Sequence, residues 1–307
     1  MTQFRNYLRS SFIVSGLALG ACGGSGGSTG GVKSLPPPPV ALSFPAIVAT
    51  ATTSQEFSTK GASYVGPPIV DPNAAAAVPA LSDNAQLDVR YDAASKRYEI
   101  QLPAQSTWQP IVPTATYPAP SDNLFLYRGS PPASVGVLDH RSNLQYSALL
   151  EWFTDTSSGF SAIGIATPPG NVPVSGSATY TGSILGRSSE PYFNKWEGEW
   201  IPGTIGGNIN LSFNFSSGAL SGTINPTLYL ATSYTLPSLS FTDTIHAAGS
   251  TSFSGRFDTA LAGQNSFSGL FTGPAAQELI GNFAFPYASP VDGAPRQAAG
   301  AFAGGKN

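Results

Sequence analysis

Phe267-Ser268-Gly269-Leu270-Phe271-Thr272-Gly273-Pro274-Ala275-Ala276-Gln277-Glu278-Leu279-Ile280-Gly281-Asn282-Phe283 carries one five-residue pattern twice, on either side of a Gly-Pro corner. The pattern is large apolar, any, Gly, any, large apolar. Residues two apart share a face of a β-strand, so each copy sets two bulky groups and a glycine on one side of a sheet, whereas a helix would scatter them. The pattern returns at Tyr180-Thr181-Gly182-Ser183-Ile184, Leu220-Ser221-Gly222-Thr223-Ile224 and Phe253-Ser254-Gly255-Arg256-Phe257. Glycine weakens a strand interior. Its recurrence between large groups predicts a wall that must bend, or a facing side chain that needs the space, and a small closed barrel meets both conditions.

Working outward from that stretch, eight strands are expected: Ala178 to Leu185, Gly207 to Phe215, Ala219 to Pro226, Leu239 to His246, Thr251 to Asp258, Asn265 to Thr272, Leu279 to Phe285 and Gln297 to Gly304. Ile209, Leu211, Phe213 and Phe215 alternate as a wall with one dry face requires. Eight strands close a barrel that side chains can fill, and closure removes free sheet edges. A membrane-inserted barrel would show a continuous outward apolar band with aromatic girdles. Ser, Thr, Asn and Arg at many alternate positions favour a soluble one.

Upstream, Leu87 to Tyr91 and Arg97 to Leu102 read as a hairpin around Asp92 to Lys96. Leu124 to Arg128, Leu144 to Thr154 and Phe160 to Thr167 are further strand candidates, with Asp155 to Gly159 as a turn by composition. Ala74 to Ala77 could start a helical turn but is boxed in by Pro72 and Pro79. The cluster Pro168-Pro169-Gly170-Asn171-Val172-Pro173 is the best domain boundary. The expected fold is therefore all-β. An antiparallel handle-like domain over 41–168 precedes an eight-stranded antiparallel soluble β-barrel over 174–307.

Composition agrees. Of 307 residues only 10% are charged, while Gly (34) and Pro (27) are abundant, which suits short strands joined by turns. A net charge of -3 gives no basic footprint for nucleic acid. Residues 1–21 read as a signal peptide, with Arg5 and Arg9 ahead of a short apolar run from Phe12 to Leu19. Leu19-Gly20-Ala21-Cys22 resembles the bacterial lipobox, and Cys22 is the one cysteine in the sequence. A lone thiol forms no internal disulfide, and the expectation is lipidation of Cys22. Several acyl chains anchor durably, since each buried CH₂ contributes about 0.8 kcal/mol. Residues 22–40, rich in Gly and Ser and then Pro, read as a tether that holds a folded body off the bilayer.

The quoted run and the closing Gly300-Ala301-Phe302-Ala303-Gly304-Gly305-Lys306 resemble the end of the transferrin-binding protein B-type barrel, whose corner reads Gly-Pro-x-Ala-x-Glu-Leu-x-Gly. Tyr146 to Trp152, Phe160 to Thr167 and Pro173 to Gly182 are similar to that family's junction between handle and barrel. The resemblance covers scattered blocks from about residue 85 to 307. It implies a surface lipoprotein of the outer membrane, facing outward, that binds a macromolecular partner such as a host protein or an iron or haem carrier. The family's proteins have two lobes, whereas these residues hold one handle and one barrel. The family's partner-contacting loops find no match here, so no binding residues carry over.

The residues themselves offer little chemistry. The two histidines, His140 and His246, fall short of the three or four ligands a metal site collects, so neither a metal nor a cofactor is expected. Both read as surface turn residues, and Asp139-His140-Arg141 lacks the geometry of a triad. An envelope enzyme is therefore the weakest reading. A lipocalin-like carrier of haem or lipid is the alternative to partner binding, opposed by the many aromatics expected to point inward. One stretch suits contact. Gly186 to Trp200, between the first two barrel strands, reads as a loop with Tyr192, Phe193, Trp196 and Trp200 among charged neighbours, the composition of binding hot spots. The competing reading folds its tryptophans back as a plug. The protein is expected to be a monomer.

Overall fold

The structure, a computed structural model, describes residues 42–44, 47, 50–65, 81–82, 87–102, 106–113, 126–128, 134–137, 144–153, 157–195 and 198–307. Cys22, the tether, Ala74 to Ala77, His140 and Trp196 lie outside them. Phe44, Ile47 and Thr50 sit in a helical turn; otherwise the described residues are strands, turns and irregular connections.

The first eleven strands are β1 (Gln55–Glu56), β2 (Ser58–Val65), β3 (Leu81–Ser82), β4 (Asp88–Asp92), β5 (Arg97–Gln101), β6 (Gln109–Pro110), β7 (Val112–Pro113), β8 (Leu126–Arg128), β9 (Ser134–Val137), β10 (Ser147–Phe153) and β11 (Ser157–Gly164). They form two sheets, β1-β4-β5-β6 and β3-β2-β11-β10-β9-β8-β7. Between these sheets lies an apolar layer that includes Leu87, Val89, Tyr91, Ile100, Leu150, Trp152 and Ile163. The expected β4–β5 hairpin forms, and Lys96 takes the positive φ of 55° that closes its turn. Strand β2 was not expected, because Ser58-Thr59-Lys60-Gly61-Ala62-Ser63-Tyr64-Val65 lacks an apolar alternation. The turn expected at Asp155 to Gly159 must be corrected too, since Ser157, Ser158 and Gly159 already pair with Val65, Tyr64 and Ser63.

The remaining strands are β12 (Ser177–Asn194), β13 (Glu199–Asn214), β14 (Ala219–Tyr229), β15 (Ser233–Thr235), β16 (Leu239–Ile245), β17 (Ser252–Phe257), β18 (Ser266–Thr272), β19 (Glu278–Ala288) and β20 (Pro295–Lys306). They run in the order β13-β12-β20-β19-β18-β17-β16-β14-β15, and a further β13–β14 pairing closes eight of them into a barrel. The short β15 is an addition on the upper part of β14. Inside, Tyr180, Phe213, Phe253, Phe257, Phe267, Phe271, Phe283, Phe285 and Phe302 pack into one aromatic core. Phe213 alone meets Phe271 at 4.9 Å and Phe253 at 5.1 Å, in the edge-to-face geometry that aromatic quadrupoles favour.

The repeated glycines have a direct packing reason. Gly255 pairs across the ladder with Phe267, Gly269 with Phe253, Gly281 with Phe302 and Gly300 with Phe283. In each pair the ring occupies the space that a Cβ on the glycine would need, as with Phe267 Cζ at 2.5 Å and Phe283 Cζ at 2.7 Å. Phe241 fills the same position over Gly222. Small and large groups thus alternate between neighbouring strands, so rings cover exposed backbone along the curved wall.

Strands β19 and β20 are buried on both faces over most of their length. Their inward groups join the aromatic core. Their outward Ile280, Ala301 and Ala303 meet Leu149, Phe160 and Ala162, while Ala284 and Ala299 meet Ala62 and Tyr64 of the seven-stranded sheet. The run of alanines in β20 lets two sheets approach closely. Polar bonds cross the same seam: Lys60 Nζ donates to Ser268 Oγ (3.2 Å), Ser268 Oγ to Asn282 Oδ1 (2.7 Å), and Asn282 Nδ2 to the Gly61 carbonyl (3.3 Å).

The Gly-Pro corner between β18 and β19 is where handle, connection and barrel meet. Gly273 and Ala276 take positive φ, 82° and 57°. Thr167 Oγ1 donates to the Gly273 carbonyl (2.8 Å), Asn171 Nδ2 to that of Pro274 (3.0 Å) and the Tyr180 hydroxyl to that of Ala276 (2.6 Å). The buried Glu278 carboxylate accepts the amides of Gln145 (2.6 Å) and Tyr146 (2.9 Å) at the entry to β10. Its position in the corner motif therefore has a mechanical meaning: it fastens the handle to the barrel.

Candidate functional site: the barrel rim

The stretch Gly186 to Trp200, expected as a loop, is a correction. It forms the upper parts of β12 and β13, and the chain reverses only after Asn194. Beyond Arg187 the register shifts: Arg187 pairs with Thr204 but Pro191 pairs with Pro202, so Ser188, Ser189 and Glu190 face a single residue of β13. This is a bulge, which twists the strand pair and re-aims it. Above it, 191–194 and 199–202 continue as a two-stranded hairpin past the last pairing of β12 with β20, at Ser188 and Ala298. Paired prolines at its root supply no amide for another strand, a device that blunts exposed edges.

Strand alternation divides the expected contact residues between two faces. Phe193 and Trp200 are direct partners on the outer face, with ring centroids 5.6 Å apart and planes at 64°. Tyr192 and Ile201 pair on the opposite face. Phe193 is 41% exposed and Trp200 half-buried. Among the described residues, the other exposed large apolar groups at this end of the barrel are Tyr229, at the top of β14, Leu261 in the β17–β18 connection and Val291 in the β19–β20 connection, at 47%, 41% and 58%.

Below the hairpin a polar layer closes the barrel over its aromatic core. The buried Glu190 carboxylate accepts from Arg296 Nε at 3.0 Å, and Arg296 Nη2 donates to Asp292 at 2.8 Å. Ser188 Oγ is hydrogen-bonded to the Tyr287 hydroxyl, which burial pushes well above the ordinary tyrosine range. On the outer side, Arg187 donates to Glu151 of the handle (2.7 Å) and to Thr204 (2.9 Å) and lies over the Phe160 ring at 5.1 Å. The hairpin root is thus gripped from both faces.

His246 is also a correction. Rather than lying in a surface turn, it is 7% exposed at the opposite end of the barrel, edge-on to Phe213 at 5.2 Å and near Phe271 at 5.6 Å. Its Nδ1 lies 3.5 Å from the Ser252 carbonyl and its Nε2 has no hydrogen-bond partner. Burial holds the imidazole below its ordinary value. Among the described residues no group of three or more His, Cys, Asp or Glu side chains is arranged to hold a metal ion.

Residues 172–306 match the family described as the C-lobe and N-lobe beta barrels of Tf-binding protein B. The match covers the barrel strands, which are thus similar to that family's barrels, and leaves the first eleven strands outside it. No curated protein matches the sequence. Similar solved structures include a double mutant of the vaccine antigen transferrin-binding protein B from Haemophilus parasuis Hp5, at 14% identity over 83% of this chain and 76% of that one, with a TM-score of 0.37. Isotype 1 transferrin-binding protein B from serogroup B Neisseria meningitidis is 15% identical over 81% of this chain and 43% of its own length, with a TM-score of 0.45. A surface lipoprotein is 15% identical over 80% of this chain and 98% of its own, with a TM-score of 0.39.

Proposed function

We propose that this protein is a non-enzymatic lipoprotein, anchored in the outer membrane through lipid on Cys22 and displayed outward on its Gly/Ser/Pro tether, which captures a partner protein with the barrel rim. By the kinship of its barrel, that partner is a host protein or an iron or haem carrier. The observation that carries this reading is the placement of apolar surface. Of the six large apolar side chains that stand exposed among the described residues, four (Phe193, Tyr229, Leu261 and Val291) lie at one end of the barrel, around a hairpin that projects beyond the wall. Clustered exposed aromatics beside charged groups are the makings of a binding surface. The aromatic packing of the interior favours this reading over that of a carrier with its ligand inside the barrel.

The test has two parts. Protease shaving of intact cells should remove the protein, and survival of the full-length chain would place it inside the envelope. The purified chain, immobilised, should retain a protein from serum at micromolar concentration, with purified transferrin and haemoglobin as defined probes. Retention that persists after Phe193→Ala and Trp200→Ala together would move the site elsewhere.

A further inference from the structure

Three of the connections at the rim are held by two adjacent residues. Arg296, near the start of β20, bonds to Glu190 in the hairpin root and to Asp292 in the β19–β20 turn. Gln297 donates its backbone amide to Ser189 Oγ in the hairpin root at 2.8 Å. Its side-chain amide forms a reciprocal pair with the backbone of the β17–β18 connection: Gln264 N donates to Oε1 (3.1 Å) and Nε2 donates to the Gln264 carbonyl (2.8 Å). Gly263 beside it has a φ of 148°, and the Gln297 amide occupies the space a Cβ there would need. Each of the three segments carries an exposed apolar side chain: Phe193 on the hairpin, Val291 in 288–295 and Leu261 in 258–265.

We propose that Arg296 and Gln297 are positioning residues that weld these three segments into one preformed protein-binding surface. This rests on the reading of the rim as the capture site. The physical case is one of pre-organisation. A connection with no strand partners samples many conformations, and ordering it on binding costs affinity, so connections fixed beforehand bind with that cost already met. An isolated surface ion pair would contribute little to such fixing. Here, however, the Glu190 side chain is 4% exposed and Arg296 22%, so that pair is shielded from water, and the same guanidinium also reaches the more exposed Asp292 (47%) on a different segment. A bidentate fork can serve two partners in fixed directions; an ammonium serves as a single point charge. Tyr229 stands on β14, on the opposite side of the hairpin from β20, so it falls outside the surface proposed.

The experiment is hydrogen exchange on the free full-length chain, followed by serum retention. Arg296→Met should raise exchange at least tenfold at amides of 188–194 and 290–294 together, and Gln297→Ala should do so at 258–265. Amides of 209–213 and 279–284 in the barrel wall should be unchanged in both. Arg296→Lys should restore protection at the hairpin root but not in the 290–294 turn. A purely structural role would instead lower protection throughout the barrel, or lower it nowhere, and either result overturns the proposal. If wild-type protein retains nothing from serum while the exchange pattern appears as described, the capture reading fails and the coupling of the segments stands. If it does retain a partner, Arg296→Met should slow association at least fivefold, and an unchanged association rate overturns the role in binding.

Discussion

The ring of Phe302 fills the place that a side chain on Gly281 would take. The two residues are direct partners across β19 and β20, and the Ser268 carbonyl closes on Gly281 from the other side. A methyl group at 281 therefore meets both a ring and fixed backbone. Gly281→Ala would gain about 0.5–1 kcal/mol from reduced freedom of the unfolded chain, but overpacking a core costs about 1–3 kcal/mol. With backbone on one side the upper part of that range applies. Urea denaturation should show a net loss of about 2 kcal/mol for Gly281→Ala and a much smaller change for Gly305→Ala, where only Leu144 Cδ2 approaches, at 3.1 Å.

Glu278 should matter to the joint more than to the barrel. Glu278→Ala leaves the Gln145 and Tyr146 amides without their acceptor in a partly buried place, and an unmet buried donor costs about 1–3 kcal/mol. Glu278→Gln offers one acceptor oxygen where two donors converge, so it should recover only part of the loss. The check is hydrogen exchange at 145–150 against 209–213. Loosening confined to the first segment is expected, whereas uniform loosening would show that the carboxylate supports the whole domain.

The fold was legible because the Gly-centred pattern reports a pairing rule, ring against glycine, that holds strand after strand. Its blind spots are physical as well. Strand β2 carries small and polar residues because its partner surface is the alanine-rich outer wall of β20, and tight approach of two sheets leaves no room for the bulky alternation that marks a strand. Phe193 and Trp200 were visible as candidates, but their shared face was not, because charged residues around them read as loop and no local signal reveals that Pro191 pairs with Pro202. His246 looked like a turn residue by its neighbours; its burial depends on Phe213, Phe215 and Phe271, which are distant in sequence. Arg296 and Gln297 gave no signal, since Ser189, Glu190 and Gln264 come to them only through strand pairing, and Asp292, four residues away, reads as an ordinary turn residue.

Phe193 and Trp200 make a separable test of contact against packing. Phe193 is exposed and its loss should change stability by no more than about 0.5 kcal/mol, as for most surface substitutions. Trp200→Ala removes a half-buried ring packed edge-on to Phe193 and should cost somewhat more. Against a captured partner each should weaken affinity by about 2 kcal/mol, the scale of an interface hot spot. Titration calorimetry beside thermal melts distinguishes the two: loss of stability with unaltered affinity would assign the pair to packing alone.

His246 makes the barrel sensitive to mild acid. Its imidazole is held below its ordinary value of 6.5 by burial, against a weaker opposing bond to the Ser252 carbonyl. An unfolded chain takes up the proton near that ordinary value, while the folded one resists it. In the interval between the depressed and the ordinary value the unfolded state binds more protons, so stability is fully present above about pH 6.5 and falls as pH drops below it. Beyond that one bond the charged form finds little help: Phe213, Phe215 and Phe271 face the ring and Nε2 has no hydrogen-bond partner. Melting temperatures taken from pH 7.5 to 5.5 should therefore decline for the wild-type protein. His246→Leu removes the titrating group and keeps an apolar filling among the rings, so its decline over the same interval should be shallower. Parallel curves for the two proteins would mean that the imidazole is accessible to water in the folded state and that other groups set the acid response.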